Sequence, residues 1–263
     1  MSARAPDVST KGLRVLVTAG ASGIGRATAE TFQAAGAMVH ICDVSTEALT
    51  QFRQANPGIT QSVCDVSDLR QVDQLFADVK KHLGGLDALI NNAGIAGPTA
   101  VVEETKPEDW ERTMAVNLNG MFYCTRLGVP MLKAAGGGSI ANLSSTAGRL
   151  GFPYRSPYAA TKWGVIGFTQ SIAMELGEFN IRVNAILPGV VAGDRIDRVM
   201  TARAQARGIS VEQAKKEAVE HVSMRTMVSA QDIANMIVFL ASDAGKHVSG
   251  QSMPVCGNVE TLR

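Results

Sequence analysis

The chain is short of what would carry it into a bilayer, onto nucleic acid or into an oxidising compartment. Its four cysteines, Cys42, Cys64, Cys124 and Cys256, stand far apart with no C-x-x-C between them, which argues for reduced core thiols over a disulfide framework or a zinc ribbon. Charge of one sign is also missing. With 25 Lys and Arg against 24 Asp and Glu, no global field favours nucleic acid or an anionic membrane. The two longest charge-free stretches, Ala88 to Val102 and Ala134 to Gly148, have 15 residues each and are interrupted by Gly, Asn, Ser or Pro, too short and polar to span a membrane. The opening MSARAPDVSTKG lacks the apolar segment of a secretory signal, so residues 1–11 are expected to form a flexible arm and the cytoplasm is the expected compartment. His221 and His247 sit in no motif, and no metal site is expected.

What is present is a chain of 263 residues, 46% hydrophobic and with 26 Gly, long enough to bury a sizeable core in one domain. Apolar runs of strand length alternate with helical patterns. LRVLVTA (13–19), RATAETFQAAG (26–36) and MVHICD (38–43) read as strand, helix, strand. The alternation continues with a strand at SVCDV (62–66), a helix over 68–83, a strand at DALINNAG (87–94), one helix over 107–134, a strand at SIANLSS (139–145), a helix over 157–179 and a strand at IRVNAILPG (181–189). The strands are nearly continuous apolar runs, as strands buried on both faces are, and this predicts a parallel sheet covered by helices. From about 193 to 227 the pattern becomes charge-rich and helical, hinged at Arg207-Gly208. This segment is expected to form a lid over the carboxyl edge of the sheet, where open α/β folds bind ligands. A helix over 229–240 and a strand over 251–255 close the single domain, expected over 12–263.

The first strand runs into Thr18-Ala19-Gly20-Ala21-Ser22-Gly23-Ile24-Gly25 and then a helix. Glycines there let backbone N–H groups approach a pyrophosphate at a helix N-terminus, although Gly-rich turns also join strands to helices where no nucleotide binds. Asp43 ends the second strand 18 residues after Gly25, close to the offset at which a carboxylate meets an adenosine ribose. It is equally placed to start a turn. A carboxylate there repels a 2′-phosphate, and no basic residue follows in Val44-Ser45-Thr46, so NAD is favoured over NADP. Tyr158 and Lys162, at i and i+4 on a helix, share a face, and an ammonium beside a phenol stabilises the phenolate. Alone this spacing is also an ordinary surface pair. Ser145 stands 13 residues upstream of Tyr158 at a strand's carboxyl end, where a hydroxyl can polarise a carbonyl or simply sit in a turn.

In this order, the Gly-rich turn, Asp43, Asp65, Asn91-Asn92-Ala93-Gly94, Asn117, Ser145, Tyr158, Lys162 and Pro188-Gly189 resemble the short-chain dehydrogenases and reductases, over residues 12–257. The resemblance implies a Rossmann fold and hydride transfer between a secondary alcohol or hydroxy acid and a nicotinamide cofactor. It implies Tyr158 as general acid or base, Ser145 as holder of the substrate oxygen and Lys162 as partner of the nicotinamide ribose. Asn117 would place a water by its backbone. Gly20, Ser22, Gly23, Ile24, Gly25, Asp43, Asp65, Val66, Asn92, Ala93, Gly94, Tyr158, Lys162, Pro188, Gly189 and Val191 would line the cofactor, while Asn91 has a structural alternative within the sheet. A homotetramer is implied as well, built on the helices around 107–134 and 157–177, with Trp163, Phe168 and Met174 in interface or core.

Three positions depart from the family pattern. Ala19 replaces a glycine, which is expected to hold φ negative or pass the turn to Gly20. Gly193 stands where a threonine is usual, leaving its carboxamide contact to the Val191 backbone. Cys256-Gly257-Asn258 replaces D-G-G. The substrate wall is expected from Ala96, Arg149, Phe152, Tyr154, Arg155 and Arg195, mixed apolar and cationic. Inward-facing arginines suit an anion, whereas the lid's own Asp and Glu residues offer ion pairs instead. The competing functions are an NADPH-dependent 3-oxoacyl thioester reductase, opposed by Asp43 and the lack of a basic residue at Ser22, and a non-catalytic nicotinamide sensor, opposed by the complete Asn117, Ser145, Tyr158 and Lys162 set.

Overall fold

The computed structural model describes residues 7–259. Residues 1–6 of the expected arm lie outside the described residues. The remainder of that arm runs against the domain: Thr10 is buried, its hydroxyl bonds the Ala35 carbonyl at 3.4 Å, and the Asp7 carbonyl accepts from Ala244 N–H at 3.1 Å.

Seven strands, β1 (Arg14–Thr18), β2 (Met38–Asp43), β3 (Thr60–Val63), β4 (Ala88–Asn91), β5 (Gly138–Leu143), β6 (Ile181–Pro188) and β7 (Ser252–Val255), form one sheet in the order β3-β2-β1-β4-β5-β6-β7. Every pairing is parallel. Alternation within β1 shows why its sequence is apolar throughout. Val15 and Val17 enter one core with Phe32, Ile41, Phe52 and Ile237, while Leu16 enters the other with Val72, Leu75, Leu89 and Ile140. Full burial of each large apolar side chain contributes about 1.5–3 kcal/mol, so neither face can be left open. The first core lies under α1 (Gly23–Ala34), α2 (Thr46–Ala55) and α9 (Ala230–Ala241), the second under α3 (Leu69–Leu83), α5 (Gly120–Ala134) and α6 (Ser156–Leu176).

The chain leaves β1 for β2 on one side and later returns to β4 on the other, so the loops after β1 and β4 diverge and open a crevice at the carboxyl edge. Two expected boundaries shift. The third strand is Thr60–Val63 rather than 62–66, because its register pairs Thr60 with His40 and Val63 with Asp43. Asp65 and Val66 therefore lie in the loop beyond the strand end. The single helix expected over 107–134 is α4 (Pro107–Met114) and α5, joined by a π-helical turn over Ala115–Asn119.

The segment between β6 and α9 folds as α7 (Asp194–Arg207) and α8 (Val211–Glu220), with Gly208 left-handed at φ 64° between them. Met200, Ala204 and Ala214 give the pair a small core of its own. Ser210 caps α8, and Ser229 with Asp232 forms a capping box on α9. Among the described residues no helix is long and apolar enough to cross a membrane.

Candidate active site

At the mouth of the crevice the chain turns from β1 into α1 with Ala19 at φ 49°. The expected negative φ does not occur: alanine takes the left-handed conformation that a glycine would adopt without strain. Gly20 is needed for a different reason, since a Cβ there would stand 2.6 Å from that of Ile41 on β2. A Cβ on Gly25 would meet the Ala19 carbonyl oxygen at 2.1 Å, so α1 begins against the turn itself. Gly23, at φ 53°, has nothing within 4 Å of its Cβ position and turns its backbone to open space. Asn92 braces the turn from β4, its Nδ2 donating to the Thr18 and Ala19 carbonyls at 2.9 and 3.0 Å. The Thr18 hydroxyl in turn accepts from the N–H groups of Asn92 and Ala93 at 3.0 Å each.

Asp43 is buried at the end of β2, where one carboxylate oxygen accepts Ala21 N–H at 3.2 Å and the other Ser45 N–H at 3.1 Å. It both starts the turn and ties β2 to the glycine loop. Asp65 accepts from the Ser67 amide and hydroxyl at 2.9 and 2.6 Å and pairs with Arg112 at 2.9 Å. Burial works against its charge, but these bonds hold its carboxyl below the usual range. Val66 packs beneath Gly120, where a Cβ would approach its methyl group to 2.7 Å. Asn91 faces inward, its Nδ2 bonded to Thr125 and Asn142 at 3.0 and 2.9 Å.

Ser144 and Ser145 follow Leu143, the last residue of β5. Ser144 donates to the Lys162 carbonyl at 2.7 Å, and Lys162 Nζ donates to the Leu143 carbonyl at 2.7 Å, which pins α6 to the strand end. Ser145 caps a short turn over Thr146–Gly148 that lies too close to α6 for any side chain at Gly148, where a Cβ would stand 2.6 Å from the Lys162 oxygen. Tyr158 is thereby set between the Ser145 hydroxyl and Lys162, whose Nζ lies 5.5 Å from its ring centre. Burial pushes the phenol up, but Lys162, Arg195, Ser145 and Arg155 together hold it below its ordinary pKa. Burial, with Arg195, also lowers Lys162, against the attraction of Tyr158.

Asn117 completes the cluster from the π-helical turn. Its side chain exchanges bonds with the backbone of Ile95, accepting its N–H at 2.8 Å and donating to its carbonyl at 3.1 Å, and it reaches Thr161 at 3.1 Å. A Cβ on Gly94 would fall 3.2 Å from Asn117 Oδ1 and 3.5 Å from Lys162 Nζ, so glycine leaves a concave backbone surface beside the ammonium. The glycine turn at the start of α1, open at the Gly23 Cβ position, and this cradle both lie at the switch point, as the residues of a dinucleotide site would.

On the far side, Gly189 donates to the Val255 carbonyl at 3.1 Å, and Val191, before α7, pairs with Val228, before α9. Gly193 has φ 131°, a conformation that favours glycine over the threonine usual there. Gly257 and Asn258 bind the chain beyond α8: the Met224 and Ser223 amides donate to their carbonyls at 3.1 and 2.9 Å. Of the expected wall, Ala96, Phe152, Tyr154, Arg155 and Arg195 gather near Tyr158. Ala96 accepts from Arg155 at 2.6 Å, the Tyr154 carbonyl accepts from Ala100 at 3.0 Å, and the exposed Arg195 donates to the Gly94 carbonyl at 3.2 Å. Arg149 is exposed and makes no side-chain hydrogen bond or ion pair among the described residues. Arg203 was missed in the sequence. It lies on the apolar stripe of α7 with Ile196 and Met200, and an arginine at that spacing was the available signal.

Residues 18–258 match a family model described as enoyl-(acyl carrier protein) reductase. The chain is 37% identical over 248 residues to a 3-oxoacyl-(acyl-carrier-protein) reductase of Thermotoga maritima, covering 93% of this chain and 96% of the relative. It is 35% identical over 244 residues to a D-beta-hydroxybutyrate dehydrogenase of Cupriavidus necator, covering 91% and 94%. Among solved structures, an NAD+-bound xylitol dehydrogenase superposes with a TM-score of 0.90 at 28% identity, over 94% of this chain and 99% of that one.

Proposed function

The chain belongs to the short-chain dehydrogenases and reductases, and from that premise we propose an NAD-linked oxidoreductase in which Tyr158 moves the substrate's hydroxyl proton. The class of reaction, interconversion of a CH–OH group and a carbonyl with a nicotinamide cofactor, is that of its relatives. The observation that carries the assignment of roles is the meeting of Ser145, Tyr158, Lys162 and Asn117 at the carboxyl ends of β4 and β5.

In oxidation, Tyr158 accepts the alcohol proton as phenolate, and in reduction it returns that proton to the carbonyl oxygen. Ser145 holds the same oxygen by its hydroxyl. The buried ammonium of Lys162 favours the phenolate, and its bond to the Leu143 carbonyl keeps it facing the site. A bound nicotinamide supplies the hydride acceptor or donor. The backbone of Gly20 to Gly25 would hold its pyrophosphate, with Asp43 at the adenosine ribose, Asp65 and Val66 at the adenine, and Asn92 to Gly94, Pro188, Gly189 and Val191 along the remaining length.

Asp43 supports NAD over NADP, since its buried carboxylate would meet a 2′-phosphate. The similarity to an acyl-carrier-protein reductase of Thermotoga maritima keeps an NADPH-dependent thioester reductase as the second reading. Phe122, Trp163 and Met174 are exposed on α5 and α6, as suits a homotetramer that pairs these helices, and a cytoplasmic enzyme accords with the buried thiols of Cys42, Cys64 and Cys124. The lid of residues 193–227 would cover the bound substrate.

The test is NADH formation with NAD or NADP against secondary alcohols, hydroxy acids, polyols and 3-hydroxyacyl thioesters. Tyr158→Phe is expected to lower kcat by at least about 100-fold while NADH still binds by fluorescence. Turnover within a few-fold of the wild type in that variant would remove Tyr158 from its role.

A further inference from the structure

Arg155 and Arg195 flank Tyr158, and Arg203 joins them from across Phe152, with no carboxylate acting on Arg155. Arg155 is only 4% exposed, and its guanidinium lies 5.1 Å from the Tyr158 ring centre and 5.4 Å from that of Phe152. One Nη donates to the Ala96 carbonyl, but Nε is buried and bonded to nothing. Arg203 reaches in from the lid, 7% exposed, with its guanidinium 6.0 Å from the Phe152 ring. It makes no side-chain hydrogen bond among the described residues, and the carboxylate in its neighbourhood, Glu217, is paired with Arg207. Arg195 stands at the mouth, bonded to the Gly94 carbonyl.

The aromatic faces of Phe152 and Tyr158 compensate part of this charge. They leave donors unused, and a guanidinium offers five in a planar fork that matches a carboxylate. An unpaired buried charge costs several kcal/mol, whereas the same charge paired and hydrogen-bonded does not. Elsewhere in the lid several cations find partners, Arg207 with Glu217 and Lys215 with Asp197 at 2.6 Å. Ion pairing on a solvated helix therefore accounts for those residues but not for Arg155, and Arg203 shares in it only through the charge of Glu217, without a bond.

We propose that Arg155, with Arg203 and Arg195, binds a carboxylate of the substrate, so that the alcohol oxidised at Tyr158 is a short hydroxy acid. This rests on the oxidoreductase reading above. The closeness of Arg155 to the phenol ring fits a carboxylate within about two carbons of the carbinol, that is, a 2-hydroxy or 3-hydroxy acid. In the reaction the carbinol carbon loses its hydrogen as hydride to the nicotinamide and its hydroxyl proton goes to Tyr158, giving the oxo acid. The carboxylate keeps its charge throughout. Burial and the neighbouring guanidiniums hold Arg155 below its ordinary pKa, with Tyr158 opposing, and an anion among the three would relieve that mutual repulsion.

The full chain, loaded with whichever of NAD or NADP binds more tightly, is given lactate, malate and 3-hydroxybutyrate, each beside its methyl ester, in chloride-free buffer. Thermal midpoint and formation of reduced cofactor are both read. At least one acid is expected to raise the midpoint and to react with kcat/KM roughly 10- to 100-fold above its ester, the loss associated with one charge-assisted bond pair. Arg155→Gln should bring the acid-to-ester ratio towards one, and Arg203→Gln reads the same ratio should the first variant not fold. If no acid shifts the midpoint, or if every ester matches its acid, the carboxylate site is refuted while the oxidoreductase reading stands on any neutral alcohol that reacts. Midpoint shifts by acids without turnover of any substrate would support the anion site and count against that reading instead.

Discussion

His40 offers a quantitative test of the packing around β2. The residue is fully buried, its Nδ1 lies 2.8 Å from the Thr60 hydroxyl and its Nε2 3.0 Å from that of Ser62. Ser62 spends its own proton on Asp78 at 2.6 Å, so Nε2 carries the ring proton, and the Thr60 hydroxyl, 2.8 Å from Nδ1 against 3.3 Å from the Val39 carbonyl, gives its proton to the nearer acceptor. This is a neutral imidazole with both nitrogens satisfied. Burial pushes its pKa down from 6.5 to about 4, the stacked ring of His82 at 5.6 Å adds to the effect, and Asp78 opposes it. The unfolded chain takes up a proton near 6.5 and the native chain only near 4, so the unfolded state binds more protons in that window and stability falls as pH falls through it. The full loss is about 3 kcal/mol, of which about 2 kcal/mol accrues between pH 7 and pH 5. Urea unfolding at the two pH values and one protein concentration measures it. His40→Gln keeps one donor and one acceptor but cannot titrate, so its loss of stability over this interval should be smaller than that of the wild type by about 2 kcal/mol, or about 0.6 M in urea midpoint. Equal losses in the two proteins would mean that native His40 is protonated with its normal affinity, and the neutral-ring argument would be wrong.

Further consequences concern the site. Ala19→Gly removes a left-handed alanine at φ 49°, and after the added freedom of the unfolded glycine it should stabilise the chain by up to about 1 kcal/mol; a lower thermal midpoint would show that the turn is unstrained. Asp43→Ala should shift the ratio of kcat/KM for NAD over NADP towards NADP, and an unchanged ratio would remove Asp43 from the ribose. It should also loosen the turn by losing the bond to Ala21, seen as faster amide exchange there. Because Arg195 helps to lower the Tyr158 pKa, Arg195→Gln should move the rising limb of alcohol oxidation against pH to higher pH. A limb that stays in place, or moves the other way, would show that the lid charge is not felt at the phenol.

The alternation of apolar runs made the parallel sheet, the helical layers and the helix pair hinged at Gly208 legible, because strands buried on two faces leave few polar positions to confuse the period. That Tyr158, Lys162, Ser145 and Asn117 belong together was also readable from their order, and the structure brings the four into one cluster. What spacing could not show was how hydrogen bonds divide. Asn91 and Asn92 are adjacent in sequence, yet one is spent inside the second core on Thr125 and Asn142 and the other holds the glycine turn. The break between α4 and α5 was invisible because a π-helical turn leaves the apolar pattern nearly continuous. Arg203 was hidden for another reason: whether an arginine in a charge-rich segment faces solvent or Phe152 depends on tertiary packing.

The departures from the family pattern become intelligible only through backbone angles and contacts, and two of them act on the lid. At its start, Gly193 takes φ 131°, and α7 begins at the next residue, so a side chain at 193 would have to be accommodated by redirecting the helix that carries Arg195 and Arg203. At its end, Asn258 takes φ 63°, tolerable for asparagine, which lets its carbonyl meet Ser223 while its Nδ2 reaches the Ser223 hydroxyl at 2.6 Å. Val222 pairs with Val259 beside this bond, and Val228 exchanges backbone bonds with Val190 and Ala192. The returning limb is thus fastened to the loops after β6 and β7, whereas the outgoing limb leaves the sheet through a glycine. A substitution at Gly193 would therefore act on the direction of α7, and through it on the three guanidiniums, before it acted on any contact of its own.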